Sequence, residues 1–139
     1  MMNLSIVGTG YVGLVTGACF AEFGYTVTCI DNDIERLEML KSGKCPFFEP
    51  GMDELLDKHI NKTKLISFAS TIKNNLENTD IIFITVGTPT RRFEDEADLS
   101  FVWQAAEEIA ENINKYCLVV TKSTVPVGTT KRSKKNYFK

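Results

Sequence analysis

The sequence is poor in the side chains that build metal and redox sites. Its 139 residues include a single histidine, His59, and four cysteines, none of which forms a C-x-x-C pair. Because zinc and redox sites use such pairs or clusters of ligands, we predict neither a metal site nor a redox pair. His59 lies in a polar stretch and is expected on the surface. Cys19, Cys29 and Cys117 lie in apolar patterns and are expected in the core.

Strong net charge and long apolar runs are also missing. Lys and Arg number 16 and Asp and Glu 18, which leaves a formal net charge of −2 at pH 7. That balance gives no general attraction to nucleic acid or to an acidic membrane, and the basic cluster at 131–139 is best explained as a solvated helix face or tail. Apolar stretches such as 81–86 are too short to span a bilayer, and no basic region precedes an apolar leader. We therefore expect a cytoplasmic protein with no nucleic-acid or membrane partner.

What the sequence does contain is a regular alternation of strand and helix patterns. Strands are predicted at 4–7, 26–30, 65–68, 80–86 and 118–121. Helices are predicted at 11–23, 33–41, 52–60, 70–76 and 99–114. Strands and helices that alternate at this spacing predict the α/β class: a Rossmann-like, doubly wound parallel sheet with helices on both faces. Ligands of such sheets bind at the carboxyl ends of the strands, where the strand order reverses.

Three glycines follow the first strand at the spacing G-x-G-x-x-G. Gly8 permits the tight turn, Gly10 lets a pyrophosphate approach the backbone, and Gly13 lets the helix pack closely on the sheet. The helix that begins at Tyr11 offers free amides and a positive dipole end to the phosphates. A turn needed only for packing is the alternative, but it leaves the spacing of all three glycines unexplained. The motif therefore predicts a dinucleotide site.

Asp31 ends the second strand, 18 positions after Gly13. A carboxylate at this place accepts hydrogen bonds from the adenosine ribose of a dinucleotide. Together with Asp33 it would repel a 2′-phosphate, which favours NAD over NADP. Arg36 is the counter-argument, since an arginine can accept a 2′-phosphate; we expect it instead to lie over the adenine or its ribose. The alternative for Asp31 is a strand-end cap.

Two further loops follow the fourth and fifth predicted strands. Thr88 and Thr124 lie in these loops, and each is accompanied by a proline. They could form simple turns, but loops that follow strands of one parallel sheet meet at the same edge. We therefore expect both threonines to line one cofactor pocket with the glycine motif.

Six segments of the chain carry a resemblance to a known family. In order they are IVGTGYVGL (6–14), CID (29–31), FEPG (48–51), VGTPT (86–90), ADL (97–99) and KSTVPVGT (122–129). Over about residues 3–131 the chain resembles the nucleotide-sugar dehydrogenases, the family of UDP-glucose and GDP-mannose dehydrogenases. Residues 122–126 are similar to the members that oxidise UDP-glucose, more than to those that act on GDP-mannose or UDP-N-acetylmannosamine.

The resemblance implies a two-step oxidation of UDP-glucose to UDP-glucuronate with two NAD. By position it implies NAD contacts at Val12, Asp31, Arg36, Thr88 and Thr124. Thr124 would lie nearest the reacting carbon, in a supporting role. With the glycine motif, the expected cofactor-binding residues are Gly8, Gly10, Tyr11, Val12, Gly13, Asp31, Arg36, Thr88 and Thr124.

The family's catalytic cysteine, its catalytic lysine and aspartate and its sugar-binding loop have no counterpart in these 139 residues. We therefore expect 1–139 to be an NAD-binding domain that is incomplete at its carboxyl end and inactive by itself, with UDP-glucose bound only together with a second domain. A shortened gene, a split gene and an isolated domain all remain open. The alternatives are a non-catalytic NAD-binding fragment, a GDP-mannose-type relative and another Rossmann dehydrogenase. Exposed apolar surface would also allow self-association.

Overall fold

Five parallel strands form one sheet in the order β3-β2-β1-β4-β5. The computed structural model describes residues 2–90 and 97–132; the predicted basic cluster beyond residue 132 and part of the loop at 87–98 lie outside these ranges. The strands are β1 (Asn3–Val7), β2 (Thr26–Ile30), β3 (Ile66–Ala69), β4 (Ile81–Ile84) and β5 (Leu118–Thr121). The helices are α1 (Tyr11–Glu22), α2 (Ile34–Lys41), α3 (Met52–Asp57), which continues into a π-helical segment (Lys58–Lys62), and α4 (Ser100–Asn112).

Alternate residues of β1, β2, β3 and β4 face two separate hydrophobic layers. In β1, Ile6 joins the layer that contains Leu14 of α1 and Leu56 of α3, whereas Val7 joins the layer that contains Ile109 of α4. Successive side chains of a strand point to opposite faces, so a sheet covered on both faces needs apolar residues at nearly every position. The predicted class, a doubly wound parallel sheet with helices on both faces, is confirmed.

The strand order reverses at β1. From there the chain passes to β2 and β3 on one side and then to β4 and β5 on the other. The loops that follow β1 and β4 therefore leave the sheet side by side and open a crevice at its carboxyl edge. No helix among the described residues is long and apolar enough to cross a bilayer.

The helix predicted at 70–76 is absent. Asn74 has a positive φ of 65°, which a right-handed helix does not admit. The amide of Asn75 instead bonds to the carbonyl of Ile72, and that of Thr79 to Leu76. Ile72 and Leu76 are both buried, so the apolar spacing that resembled a helix serves two successive turns.

Two expectations about single side chains were wrong. His59 is buried at 2 % exposure, because it lies in the π-helical segment, and its Nε2 and Nδ1 lie 2.7 and 3.0 Å from Glu22 Oε2 and Thr63 Oγ1. Cys19 is exposed, because α1 contacts the sheet along one side only. On its other side Phe23 is also exposed.

Candidate functional site: a cleft at the carboxyl edge of the sheet

The turn between β1 and α1 requires glycine at two positions. Gly8 has a φ of +100°, and a Cβ there would lie 3.0 Å from the backbone of Thr85. A Cβ on Gly13 would overlap the carbonyl oxygen of Gly8 and lie 2.5 Å from Thr85 Oγ1. The two glycines thus allow α1 to begin against β1 and β4, in the roles that the sequence predicted for them.

The amino end of α1 is open above this turn. Gly10 is the N-cap residue and provides no side-chain hydrogen bond, and a Cβ built on it would meet no protein atom within 4 Å. The first amides of a helix have no partner within the helix. With the helix dipole they form a place where an anion is stabilised.

Thr85 supports the turn from below, and sequence reasoning missed it. Its side-chain oxygen lies 3.0 Å from the carbonyl oxygen of Val7 and 2.8 Å from that of Gly8, and the residue is buried. The Thr85 hydroxyl therefore supplies a hydrogen-bond donor to the Gly8 carbonyl, which lies in the sharp turn after β1. The available signal was a single threonine within the apolar run 81–86.

Asp31 lies at the end of β2 with its carboxylate directed to the glycine turn. Oδ2 accepts hydrogen bonds from the Thr9 amide and the Thr9 hydroxyl, both at 2.7 Å, and Oδ1 accepts one from the Asp33 amide at 3.0 Å. Burial would raise the pKa of Asp31, but the Asp33 and Thr9 bonds and the Arg36 charge hold that pKa below its ordinary value. The group is therefore an ionised carboxylate, and Oδ1 keeps capacity for a further donor.

Arg36 is paired with both aspartates of this corner. Its Nη1 lies 3.3 Å from Asp31 Oδ2 and its Nη2 lies 3.3 Å from Asp33 Oδ2. Asp33 also accepts the Arg36 amide through Oδ1 and so caps α2. Because the Arg36 guanidinium already faces the carboxylates of Asp31 and Asp33, this part of the site has no excess positive charge that would attract a 2′-phosphate.

The loops that follow β4 and β5 are connected to each other. The hydroxyls of Thr88 and Thr124 are 2.8 Å apart, and Ser123 Oγ donates to the Val86 carbonyl at 2.7 Å. The two threonines that the sequence placed in one pocket therefore touch, and the Ser123 contact fixes the spacing of the two loops.

One cleft of about 650 Å³ joins these parts, a size within the range of small-molecule sites. It is lined by eight of the nine predicted residues: Gly8, Gly10, Tyr11, Val12, Asp31, Arg36, Thr88 and Thr124. Gly13 lies behind the wall, where it serves packing. The sequence did not predict a second wall formed by Ser70, Thr71, Ile72, Phe101, Gln104 and Glu108.

The cleft has no thiol among its lining residues. Cys29 is fully buried in the core, and burial raises the pKa of its thiol to about 12. Cys19 lies in a separate apolar groove with Phe20, Phe23 and Phe83. Across residues 2–90 and 97–132, no three His, Cys, Asp or Glu side chains are grouped so as to hold a metal ion.

Comparison with known proteins accords with this geometry. The family model described as "UDP-glucose/GDP-mannose dehydrogenase family, NAD binding domain" matches residues 2–139. The chain belongs to this family. NAD is the cofactor of the family's domain, and the open end of α1 beside an ionised Asp31 fits a dinucleotide.

Relatives within the family are considerably longer than this chain. A UDP-glucose 6-dehydrogenase of Rhizobium meliloti is 48% identical over 92% of this chain and 29% of its own length. UDP-glucose 6-dehydrogenase TuaD of Bacillus subtilis is 46% identical over 94% of this chain and 28% of its own. The chain thus spans under a third of the curated relatives that it matches.

Solved structures of the family show the same fold. A UDP-glucose dehydrogenase from Pyrobaculum islandicum superimposes with a TM-score of 0.89 at 34% identity, over 99% of this chain and 33% of that one. A ternary complex of GDP-mannose dehydrogenase from Pseudomonas aeruginosa also has a TM-score of 0.89, at 32% identity, over 95% and 30% of the two chains.

Proposed function

We propose that this chain holds NAD for the oxidation of UDP-glucose to UDP-glucuronate and that it needs a further polypeptide segment to complete the reaction. The observation that carries the proposal is the corner formed by Thr9, Asp31 and Arg36 beside the open amino end of α1. Ribose hydroxyls and a pyrophosphate are the two groups that such a corner would recognise.

The cleft suggests how NAD would lie. Its pyrophosphate would accept hydrogen bonds from the amides of Tyr11 and Val12, above the open space at Gly10. The adenosine ribose would donate to Asp31 Oδ1. The nicotinamide end would then reach Thr88 and Thr124, which stand on the other side of the glycine turn.

This chain would contribute to the reaction by binding NAD and orienting its nicotinamide end. When bound, NAD supplies the capacity to accept a hydride. The paired hydroxyls of Thr88 and Thr124 would hold the nicotinamide end, and Thr124 would support the reacting carbon without acting as a nucleophile. Holding reactants in a fixed geometry is itself a large part of catalysis.

UDP-glucose is the proposed substrate because relatives that are 43–48% identical bear the name UDP-glucose 6-dehydrogenase. A GDP-mannose-type activity is the second candidate, since a GDP-mannose dehydrogenase superimposes equally well. The resemblance implies a catalytic cysteine, which acts as a nucleophile only as an activated thiolate, and no described cysteine lines the cleft. We therefore expect the chain alone to bind NAD without turnover, and a stand-alone NAD-binding module is the remaining alternative.

The test is a titration of the purified chain with NAD⁺ and NADP⁺, followed by an assay of NADH formation with UDP-glucose and with GDP-mannose. We expect weak NAD⁺ binding, weaker NADP⁺ binding and no NADH. Adding the remaining part of a longer relative should restore turnover with UDP-glucose if the enzyme proposal holds. Turnover by the chain alone would contradict the proposed dependence on a second segment.

We further propose that the isolated chain self-associates through the apolar groove beside α1, where Phe23 is 76% exposed and which Phe20 and Phe83 also line. A contiguous apolar patch of this kind favours association with a second copy. Gel filtration over a concentration series checks this, with Phe23→Ser as the variant expected to stay monomeric.

We also propose a cytoplasmic location, because NAD is available in the cytosol.

A further inference from the structure

The side chain of Tyr11 connects the start of α1 to the loop that joins α2 and α3, residues 42–51. The Tyr11 ring packs on Phe47 with centroids 5.0 Å apart and planes inclined by 44°. Its hydroxyl donates a hydrogen bond to Glu49 Oε2. That bond, and then the charge of Glu49, raises the pKa of Tyr11. The hydroxyl therefore remains a donor at neutral pH.

The loop at 42–51 is itself anchored to α3. The Cys45 amide donates to Asp53 Oδ1 at 2.7 Å, and the Met52 amide donates to the Glu49 carbonyl at 3.1 Å. Met52 and Leu56 of α3 are buried in the same layer as the inner side of α1. The Tyr11–Glu49 bond therefore closes a ring of contacts that runs from α1 through α3 and the loop back to α1.

The ring of contacts ends at the place where an anion is expected. Tyr11 is the first residue of α1, and both Tyr11 and Val12 line the cleft. In the structure the Tyr11 hydroxyl donates to an oxygen of Glu49, so this hydrogen bond joins the loop at 42–51 to the first residue of α1.

We propose that Tyr11 is a positioning residue: its hydroxyl, held by Glu49, keeps the first turn of α1 in the geometry that binds the pyrophosphate of the dinucleotide. The proposal rests on the proposed function, because it takes the pyrophosphate to lie at the amino end of α1. The Tyr11 amide contacts the ligand, whereas the Tyr11 side chain acts through Glu49 and Phe47. Glu49 thereby acquires a role in cofactor affinity without touching the cofactor.

The test compares the dissociation constants of ADP-ribose and adenosine in single variants. Tyr11→Phe removes the hydroxyl and keeps the ring contact with Phe47, so we expect ADP-ribose to bind about threefold to tenfold more weakly, the range for one lost hydrogen bond. Adenosine lacks the pyrophosphate, so its affinity should change far less. A general loosening of the fold would weaken both ligands alike.

Variants of Glu49 separate the hydrogen bond from the charge. Glu49→Ala should reproduce the loss seen in Tyr11→Phe, whereas Glu49→Gln can still accept from Tyr11 and should retain full affinity for ADP-ribose. The double variant Tyr11→Phe/Glu49→Ala should bind no more weakly than either single variant, because each change removes the same contact. Phe48→Ala is the matched control: Phe48 lies in the same loop at 91% exposure, and its loss should leave both ligands unaffected.

Each outcome has one meaning. If the wild-type chain binds ADP-ribose but Tyr11→Phe and Glu49→Ala stay within about twofold of it, the positioning role is wrong and the proposed function stands. The positioning role is also wrong if the affinity losses of Tyr11→Phe and Glu49→Ala multiply in the double variant. If the wild-type chain does not bind ADP-ribose, the proposed function fails and the positioning role fails with it. Should Tyr11→Phe unfold, the contrast between Glu49→Ala and Glu49→Gln decides alone.

Discussion

Thr9 donates two hydrogen bonds to one oxygen of Asp31, from its amide and from its hydroxyl, each 2.7 Å long. The pair joins the glycine turn after β1 to the end of β2, across 22 positions of sequence. It orders the carboxylate that would bind a ribose before any ligand arrives. Thr9 occupies a variable place in the glycine motif, yet it is fully buried.

Replacing Thr9 by valine should weaken NAD binding and lower stability. The amide bond to Asp31 remains, but a buried carboxylate loses a hydroxyl partner, a change of about 1–3 kcal/mol. Titration calorimetry with NAD⁺ and thermal unfolding measure the two effects. Thr28→Val is the matched control, because the Thr28 hydroxyl bonds to Ser67 in an exposed pair; equal effects of the two variants would contradict the assigned role of Thr9.

The glycines of the motif should respond in opposite ways to alanine. In Gly13→Ala the new Cβ overlaps the Gly8 carbonyl oxygen, so we expect destabilisation of about 3 kcal/mol or failure to fold. In Gly10→Ala the Cβ meets open space, so the fold should persist while NAD affinity falls. Thermal unfolding and NAD⁺ titration distinguish the two. Full NAD affinity in Gly10→Ala would remove the pyrophosphate from this position.

The charge of Asp31 should set the preference for NAD over NADP. Asp31→Asn keeps the shape of the side chain but no longer repels a 2′-phosphate and no longer offsets the charge of Arg36. We expect NAD⁺ affinity to fall, NADP⁺ affinity to rise and the ratio of their dissociation constants to approach one. Arg36→Ala in the Asp31→Asn background should remove the gain for NADP⁺. A ratio that does not change would exclude Asp31 from the ribose site.

Stability should decline in acid partly through Asp31. Its pKa in the folded chain lies below the ordinary value of 3.8. A lowered pKa contributes stability that is fully present above the unfolded value and is lost as pH falls through the folded one. Urea unfolding between pH 7 and pH 2, in the wild type and in Asp31→Asn, should show a smaller acid loss in the variant. Parallel curves would show that Asp31 carries none of this dependence.

Removing the buried His59 should destabilise the side of the molecule that lies away from the cleft. His59→Ala leaves a cavity and takes away the partner that reaches Glu22 and Thr63, a loss of about 1–3 kcal/mol. Lys62→Ala, at an exposed position of the same segment, should be close to neutral. NAD⁺ affinity measured below the unfolding transition should be the same in both variants, and a selective loss in His59→Ala would connect this region to the site.

The alternation of strands and helices could be predicted from the sequence because it depends on local patterns. The apolar run at 81–84 and the β-branched run at 26–30 each meet the demand of a sheet covered on both faces, and Gly24 and Gly43 end their helices with positive φ. The prediction of a helix at 70–76 was wrong because Ile72 and Leu76 satisfy the same spacing in two turns, and spacing alone cannot reveal the φ of Asn74. The prediction that His59 lies on the surface was wrong because the π-helical segment places this polar residue in the interior.

Residue identity and order by themselves determined the fold class, the glycine motif, Asp31 and the family, since these follow from chain-local geometry and from spacing. Tertiary structure alone decided that Thr9 and Thr85 hold the glycine turn, that Thr88 meets Thr124, and that Tyr11 reaches Glu49. These contacts join residues 22 to 77 positions apart. Their partners are fixed by the parallel register of the strands and the packing of α3 on α1, which no local pattern encodes.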